Sequence, residues 1–189
     1  KKEVLSDPKD DNEEHASTAP EYTNISKDYK INLAFHQVTS MDGNATLAQM
    51  VADAQGVNTI SSTWFSVTDN NGTISSLASA DYVTQAHAMG MEVWGLIDNF
   101  SSGTDNLTFL SSTAARANII QQLMTQAASV GLDGINLDFE SITEEQAPHY
   151  IQFVRELSIA CRNQGIVFSI DDPVPCRKKS KSLFIFVYS

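Results

Sequence analysis

GLDGINLDFE, residues 131–140, sets amide and acidic side chains into an otherwise apolar run. Side chains on a strand alternate faces. A short strand over residues 135–139 therefore sends Asn136, Asp138 and Glu140 one way and Ile135, Leu137 and Phe139 the other. The apolar set is built for burial. An ionised carboxylate is costly to bury without a partner, so the polar set calls for a functional explanation. Two carboxyls about 6–7 Å apart along a strand can settle with one protonated beside one charged. Acid catalysis at glycosidic bonds needs that pairing.

Working outward, the same texture recurs. Residues 31–38 (INLAFHQV), 57–65, 91–97 and 166–170 are apolar and β-rich, and predict further strands. Between them, residues 45–54 place Leu47, Met50, Val51 and Ala54 at helical spacing. Ser79 caps a helix to Met89, and Ser112 or Thr113 caps one carrying Ile119, Ile120, Leu123, Met124 and Ala127. Thr143 and Gln146 have capping-box spacing for a helix to Gln164, with Pro148 in its first turn. DNNG, residues 69–72, reads as a turn and residues 98–106 as a loop.

Four times a helix runs into a glycine (Gly56, Gly90, Gly131, Gly165) and a strand follows within one to three residues. This rhythm predicts an α/β fold of parallel strands joined by helical crossovers, either a barrel or a doubly wound sheet. Function in such sheets gathers beyond the carboxyl ends of the strands. The side chains expected there are His36, Trp64, Asp98, Glu140 and Asp171; Trp94 falls mid-strand and is expected in the core. No GxGxxG or GxxxxGK[ST] follows the first strand, which argues against nucleotide binding.

The 189 residues suffice for one domain with a real core, and 42% of them are apolar. No apolar run reaches the length of a transmembrane helix. The chain opens with Lys1 and without a signal-peptide core, as expected of a fragment or a processed product. Residues 1–30 are polar and acidic on balance, and predict a flexible linker. Residues 31–175, the folded body, have Arg116, Arg155 and Arg162 as their only cations. A body this acidic repels phosphate backbones, so nucleic acid is excluded as a partner. Residues 176–189 form a divergent tail, basic at Arg177, Lys178, Lys179 and Lys181 and then apolar. Cys161 and Cys176 are the only cysteines, and Cys161 is expected to pack as a small apolar residue. Without a His/Cys cluster no metal or other cofactor is expected.

DGINLDFE, residues 133–140, resembles the DxxDxDxE signature of family 18 glycoside hydrolases, the chitinase-like barrels. Asp133, Asp138 and Glu140 match it, and Asn136 stands where most members have Asp. Residues 31–175 look like the bacterial cell-wall and spore-cortex branch. The resemblance implies a (β/α)8 TIM-barrel type fold, with only about five of its eight β/α units present here. It also implies substrate-assisted, retaining hydrolysis of β-1,4-linked N-acetylglucosamine polymers, peptidoglycan ahead of chitin, outside the cell or at its wall. Glu140 would be the acid. Asp138 would orient the substrate's acetamido group, Asn136 would hold Asp138 by a hydrogen bond, and Asp133 would be structural support. Trp64, Asp98, His36 and Asp171 are the substrate-side candidates by position. A wall-binding module upstream is a further expectation.

Two departures stand beside the match. GLIDNF, residues 95–100, replaces the SxGG-like motif of many chitinases, and the tail does not continue the β/α rhythm. A non-catalytic carbohydrate-binding derivative and, further off, a metal-dependent hydrolase are the alternative readings. An open five-stranded sheet leaves an unpaired last edge, on which residues 182–189 (SLFIFVYS) could pair as a sixth strand. Low solubility or weak turnover is expected of this 189-residue chain. A cooperative melt together with ordinary turnover on chitooligosaccharides would contradict that expectation.

Overall fold

Capping and glycine stops shape the crossovers of the computed structural model, which describes residues 25–173 and 183–188. Strand β1 (Leu33–His36) leads through a 3₁₀ turn (Met41–Thr46) and a short helix α1 (Leu47–Val51) to β2 (Thr59–Val67). A hairpin adds β3 (Ile74–Ser76), and α2 (Ala80–Ala88) crosses to β4 (Glu92–Asp98). Helices α3 (Asn106–Ser111) and α4 (Thr113–Val130) precede β5 (Gly134–Asp138). Helix α5 (Ala147–Gln164) then leads to β6 (Val167–Pro173), and β7 (Leu183–Tyr188) is the last strand described. Ser79 and Ser112 accept from the backbone N–H groups of Tyr82 and Ala115, as N-caps should. Gly131 and Gly165 close α4 and α5 with φ of 80° and 71°, a region closed to most L side chains.

The sheet order is β1-β2-β4-β5-β6-β7, with β3 antiparallel on β2. All pairings from β1 to β6 along this path are parallel. Each new parallel strand joins the same advancing edge, without the reversal that defines a doubly wound sheet. The fold is therefore a partial (β/α)8 barrel, with five parallel strands among the described residues. Strand β7 pairs antiparallel along the outer edge of β6, from Phe168 with Tyr188 to Pro173 with Leu183.

The two faces of β5 divide as the alternation requires. Ile135 and Leu137, with Phe139 just beyond the strand, join a helix-side core that includes Phe109, Phe153 and Leu157. Phe139 stacks on Phe153 at 5.4 Å and 10°, and meets Phe109 edge-on at 5.9 Å. On the interior face the floor is filled by Trp94, in register with Gly134. A Cβ at Gly134 would lie 2.8 Å from the Trp94 ring, so glycine opens the strand for want of space. Outside the core, buried Arg116 donates to both carboxylate oxygens of Glu156 and to the Leu110 carbonyl, tying α3, α4 and α5 together.

Several boundaries differ from expectation. The helix expected over residues 45–54 is a 3₁₀ turn followed by five helical residues. In that turn Thr46 donates to the Gly43 carbonyl, a local bond that competes with regular helix. Between the expected loop, residues 98–106, and α4 lies an unforeseen helix, α3, capped by Asp105 and anchored by buried Phe109. Thr143 and Gln146 do bond reciprocally, but around a turn that precedes the first residue of α5. The expected linker, residues 1–30, lies outside the described residues up to 24. Its last residues are docked: Lys27 and Tyr29 bond Glu92, and Asn58 donates to the Lys30 carbonyl. Of the expected tail, Cys176, Arg177, Lys178, Lys179 and Lys181 also lie outside the described residues. Cys161 is buried with a free thiol.

Phe139 is buried among aromatic rings from α3 and α5. Phe139→Ala should therefore lower unfolding stability by about 3–5 kcal/mol, read from urea denaturation. A loss under about 1 kcal/mol would contradict the packing described.

Candidate active site

Beneath the strand ends, the interior face of β5 is polar and its polar atoms are paired. Asn136 has 0% exposure; its amide Nδ2 donates to Ser61 Oγ on β2 and to Asp171 Oδ2 on β6, each at 3.1 Å. Its Oδ1 accepts from Ser169 Oγ at 2.8 Å. Both amide protons are thus spent across the sheet, and the bond expected from Asn136 to Asp138 is not made. The correction has a simple cause. Asp138 is two residues along the same strand, whereas Ser169 and Asp171 on adjacent β6 and Ser61 on β2, across β4, face the same interior.

Above this layer Asp138 is half-buried and Glu140 is exposed. Burial, then the charges of Asp171, Glu140 and Asp98, pushes the Asp138 carboxyl up to about 6. Asp171, 4% exposed, is also pushed up to about 6, by burial, with the Asn136 amide opposing. Its Oδ1 has no hydrogen-bond partner. Asp98 accepts from Ser66 Oγ at 2.6 Å and from the Phe100 N–H at 3.1 Å. A cleft of about 310 Å³ opens here, bordered by Thr63, Ser66, Leu96, Asp98, Phe100 and Asp138.

Other expected site residues are placed differently. Trp64 borders the cleft, but its ring is 1% exposed, packs edge-on against Tyr82 and donates from Nε1 to Asn44. The indole is therefore not offered to a ligand. Trp64 shares the helix-side face of Ile60 by ordinary alternation, and the register shift between Thr63 and Phe65 puts Phe65 on that side as well. His36 is 5% exposed, with Nδ1 at 2.7 Å from the Tyr82 hydroxyl and Nε2 at 3.0 Å from Thr46 Oγ1. Both ring nitrogens are engaged and burial lowers the imidazole pKa, so the side chain is a neutral structural link. Asp133 lies at the opposite end of β5, accepting from His87 Nε2 and the Val93 N–H, both at 2.8 Å.

Two residues of the DNF stretch after β4 were not singled out in the sequence. Asn99 clasps the Glu140 peptide, with Oδ1 accepting from its N–H at 2.9 Å and Nδ2 donating to its carbonyl at 2.9 Å. Ser141, the next residue, has φ of 59°, a conformation uncommon outside glycine that this clasp helps to hold. Phe100 is 56% exposed beside Asp98, and is the open aromatic ring of the cleft wall. An amide and an aromatic in a loop gave no periodic signal to find them by.

No protein-family model matches the chain. A curated relative, the uncharacterized glycosylase YvbX of Bacillus subtilis, is 25% identical over 111 residues, covering 56% of this chain and 32% of its own length. Among solved structures, the C-terminal domain of a putative chitinase from Desulfitobacterium hafniense superposes with a TM-score of 0.64 at 18% identity. The match covers 74% of this chain and 44% of that one. The spore cortex-lytic enzyme SleL of Bacillus cereus gives 0.61 at 18% identity, over 74% and 34% of the two chains. A GH18 chitinase from Cycas revoluta in complex with (GlcNAc)4 gives 0.58 at 14% identity, over 71% and 41%.

The fold is that of the chitinase-like barrels. The chain spans about a third of the length of its curated relative and less than half of each of these structures. Counted along the chitinase-like barrel, β5 is the fourth parallel strand, and Asp138 and Glu140 stand at its carboxyl end.

A carboxyl raised on folding stabilises the fold below its unfolded pKa and loses that contribution as pH rises through its folded value. For Asp138 this window runs from about 4 to about 6. Asp138→Asn should accordingly raise the thermal midpoint at pH 7 and leave it near the parent's at pH 4. An equal effect at both pH values would contradict the assignment.

Proposed function

We propose that this chain carries the acid-bearing part of a glycoside hydrolase acting on β-1,4-linked N-acetylglucosamine glycans by substrate-assisted retention. One observation carries the reading: a half-buried Asp138 with a raised pKa beside an exposed Glu140, at the carboxyl end of a barrel strand. Position supports it too, since barrel enzymes place their chemistry at that end. The glycosylase and chitinase relatives favour the hydrolase class, and the (GlcNAc)4 bound by one of them favours the sugar. The spore cortex-lytic neighbour favours peptidoglycan and, with it, a site of action at the wall.

In this mechanism Glu140 protonates the glycosidic oxygen as the bond to the anomeric carbon breaks. The acetamido carbonyl oxygen of the same sugar attacks that carbon and forms an oxazolinium ring. Asp138 orients the acetamido group and offsets its developing positive charge. Water then opens the ring at the anomeric carbon, returning its proton to Glu140, and configuration is retained overall. No metal or cofactor enters these steps. Asn99 fixes the Glu140 backbone, so the acid is aimed by a rigid peptide and not by a free loop. Phe100 offers an apolar ring to a sugar face, the part expected of Trp64.

A second reading, glycan binding without turnover, is favoured by Asn136 at a place where most chitinase-like sequences carry a carboxyl. Glu140→Gln separates the two. If Glu140 is the acid, hydrolysis of chitooligosaccharides or peptidoglycan fragments should fall at least about 100-fold. Calorimetric binding of the same oligosaccharide should stay within about threefold. A mutant as active as the parent would remove Glu140 from the mechanism, and a parent that binds without turnover would favour the second reading.

A further inference from the structure

Asp171 reaches into the same interior as Asp138 from the neighbouring strand. The β5–β6 register pairs Asn136 with Ser169 and Leu137 with Ile170, so the next step sets Asp138 opposite Asp171. Both belong to the face that Asn136 and Ser169 occupy, as the bond Asn136 accepts from Ser169 and the one it donates to Asp171 require. Paired strands lie about 4.8 Å apart, which brings the two carboxyl groups within mutual reach. Asn136 holds Asp171 by Oδ2 alone. The other oxygen, Oδ1, is buried without a partner. A buried carboxylate oxygen with no donor is costly, and a proton placed between it and Asp138 removes that cost.

We propose that Asp171 is a positioning residue that shares one proton with Asp138, supplying from β6 the carboxyl partner that position 136 lacks. This rests on Asp138 being the residue that orients the acetamido group. The shared proton moves between two oxygens without leaving the pair. When positive charge develops on the substrate, the proton resides on Asp171 and Asp138 carries the negative charge. Two carboxylates this close resist joint ionisation, the behaviour of carboxyl dyads. Both groups are pushed up to about 6, in keeping with one retained proton. The other acidic groups facing Asp138 are Asp98 from β4 and Glu140 beyond β5. On β7 the residue in register with Asp171 is Ile185, and Tyr188 is the only titratable residue of that strand.

The test is a carbon-13 titration of the Asp side-chain carboxyls in the full chain, which needs no turnover. In the parent, Asp138 and Asp171 should each titrate in two steps with common midpoints, because apparent pKa values of a coupled pair belong to both groups. Independent single-step curves would overturn the proposal. Asp171→Asn should turn the Asp138 curve into one step and lower its midpoint by about one pH unit. An unchanged Asp138 midpoint in a folded Asp171→Asn protein would also overturn it. Asn136→Asp combined with Asp171→Asn returns the carboxyl to position 136 and should restore the two-step curve. Where hydrolysis is measurable, Asp171→Asn should lower kcat and shift its pH profile while KM holds. Two-step titration in a chain that never hydrolyses a glycan would leave the shared proton standing and count only against the catalytic reading.

Discussion

A single buried amide joins three strands of this barrel. Asn136 donates to Ser61 on β2 and Asp171 on β6, and accepts from Ser169 on β6. With 0% exposure it would be a liability if any of these bonds were missing, since each orphaned buried group costs about 1–3 kcal/mol. Satisfied, it allows a polar layer inside a barrel whose floor is Trp94 and whose upper rim is acidic. Asp138 stands on that layer. Its position, its partial burial and its charged surroundings all follow from a strand that must be polar inward and apolar outward at once.

The outward half of that requirement is met by packing. Phe139 lies between Phe153 and Phe109, so the strand carrying the acidic face is fixed against both α3 and α5. Buried Arg116, from α4, braces the same helices through its two bonds to Glu156 on α5 and one to the Leu110 carbonyl on α3. That carboxyl is held below the usual range by the guanidinium. At the rim, Asn99 clasps the Glu140 peptide while Ser141 takes a left-handed backbone conformation. The acidic side chain thus extends from a held backbone, and Asn106, at the start of the unforeseen α3, accepts from Asn99 as part of the support.

The two ends of the strands are used differently. At the amino ends a hollow of about 530 Å³ is lined by Tyr29, Asn58, His87, Glu92 and Asp133. It is larger than the cleft near Asp138, yet its polar groups are committed to one another. Lys27 and Tyr29 bond Glu92, and His87 bonds Asp133. Those bonds fasten residues 27–30 and α2 to the sheet. At the carboxyl ends, by contrast, carboxyl groups crowd together, Asp171 Oδ1 lacks a partner and Phe100 lies open. Crowded like charge marks a candidate for chemistry, and size alone would have pointed to the other hollow.

Sequence by itself determined the rhythm and the faces. Helix stops at Gly131 and Gly165, caps at Ser79 and Ser112, and the alternation of residues 135–140 are short-range properties, set by backbone sterics and a period of two. They were enough for parallel strands, helical crossovers and an acidic pair at a strand end. Only the tertiary structure decided what each inward side chain meets. The partners of Asn136 lie 33, 35 and 75 residues away along the chain, and no local pattern encodes them. The same holds for Phe65, which joins Trp64 on the helix side where β2 slips register by one residue. A slip of that size exchanges the faces of everything beyond it. Contacts across a sheet depend on register, and register is settled when strands pair.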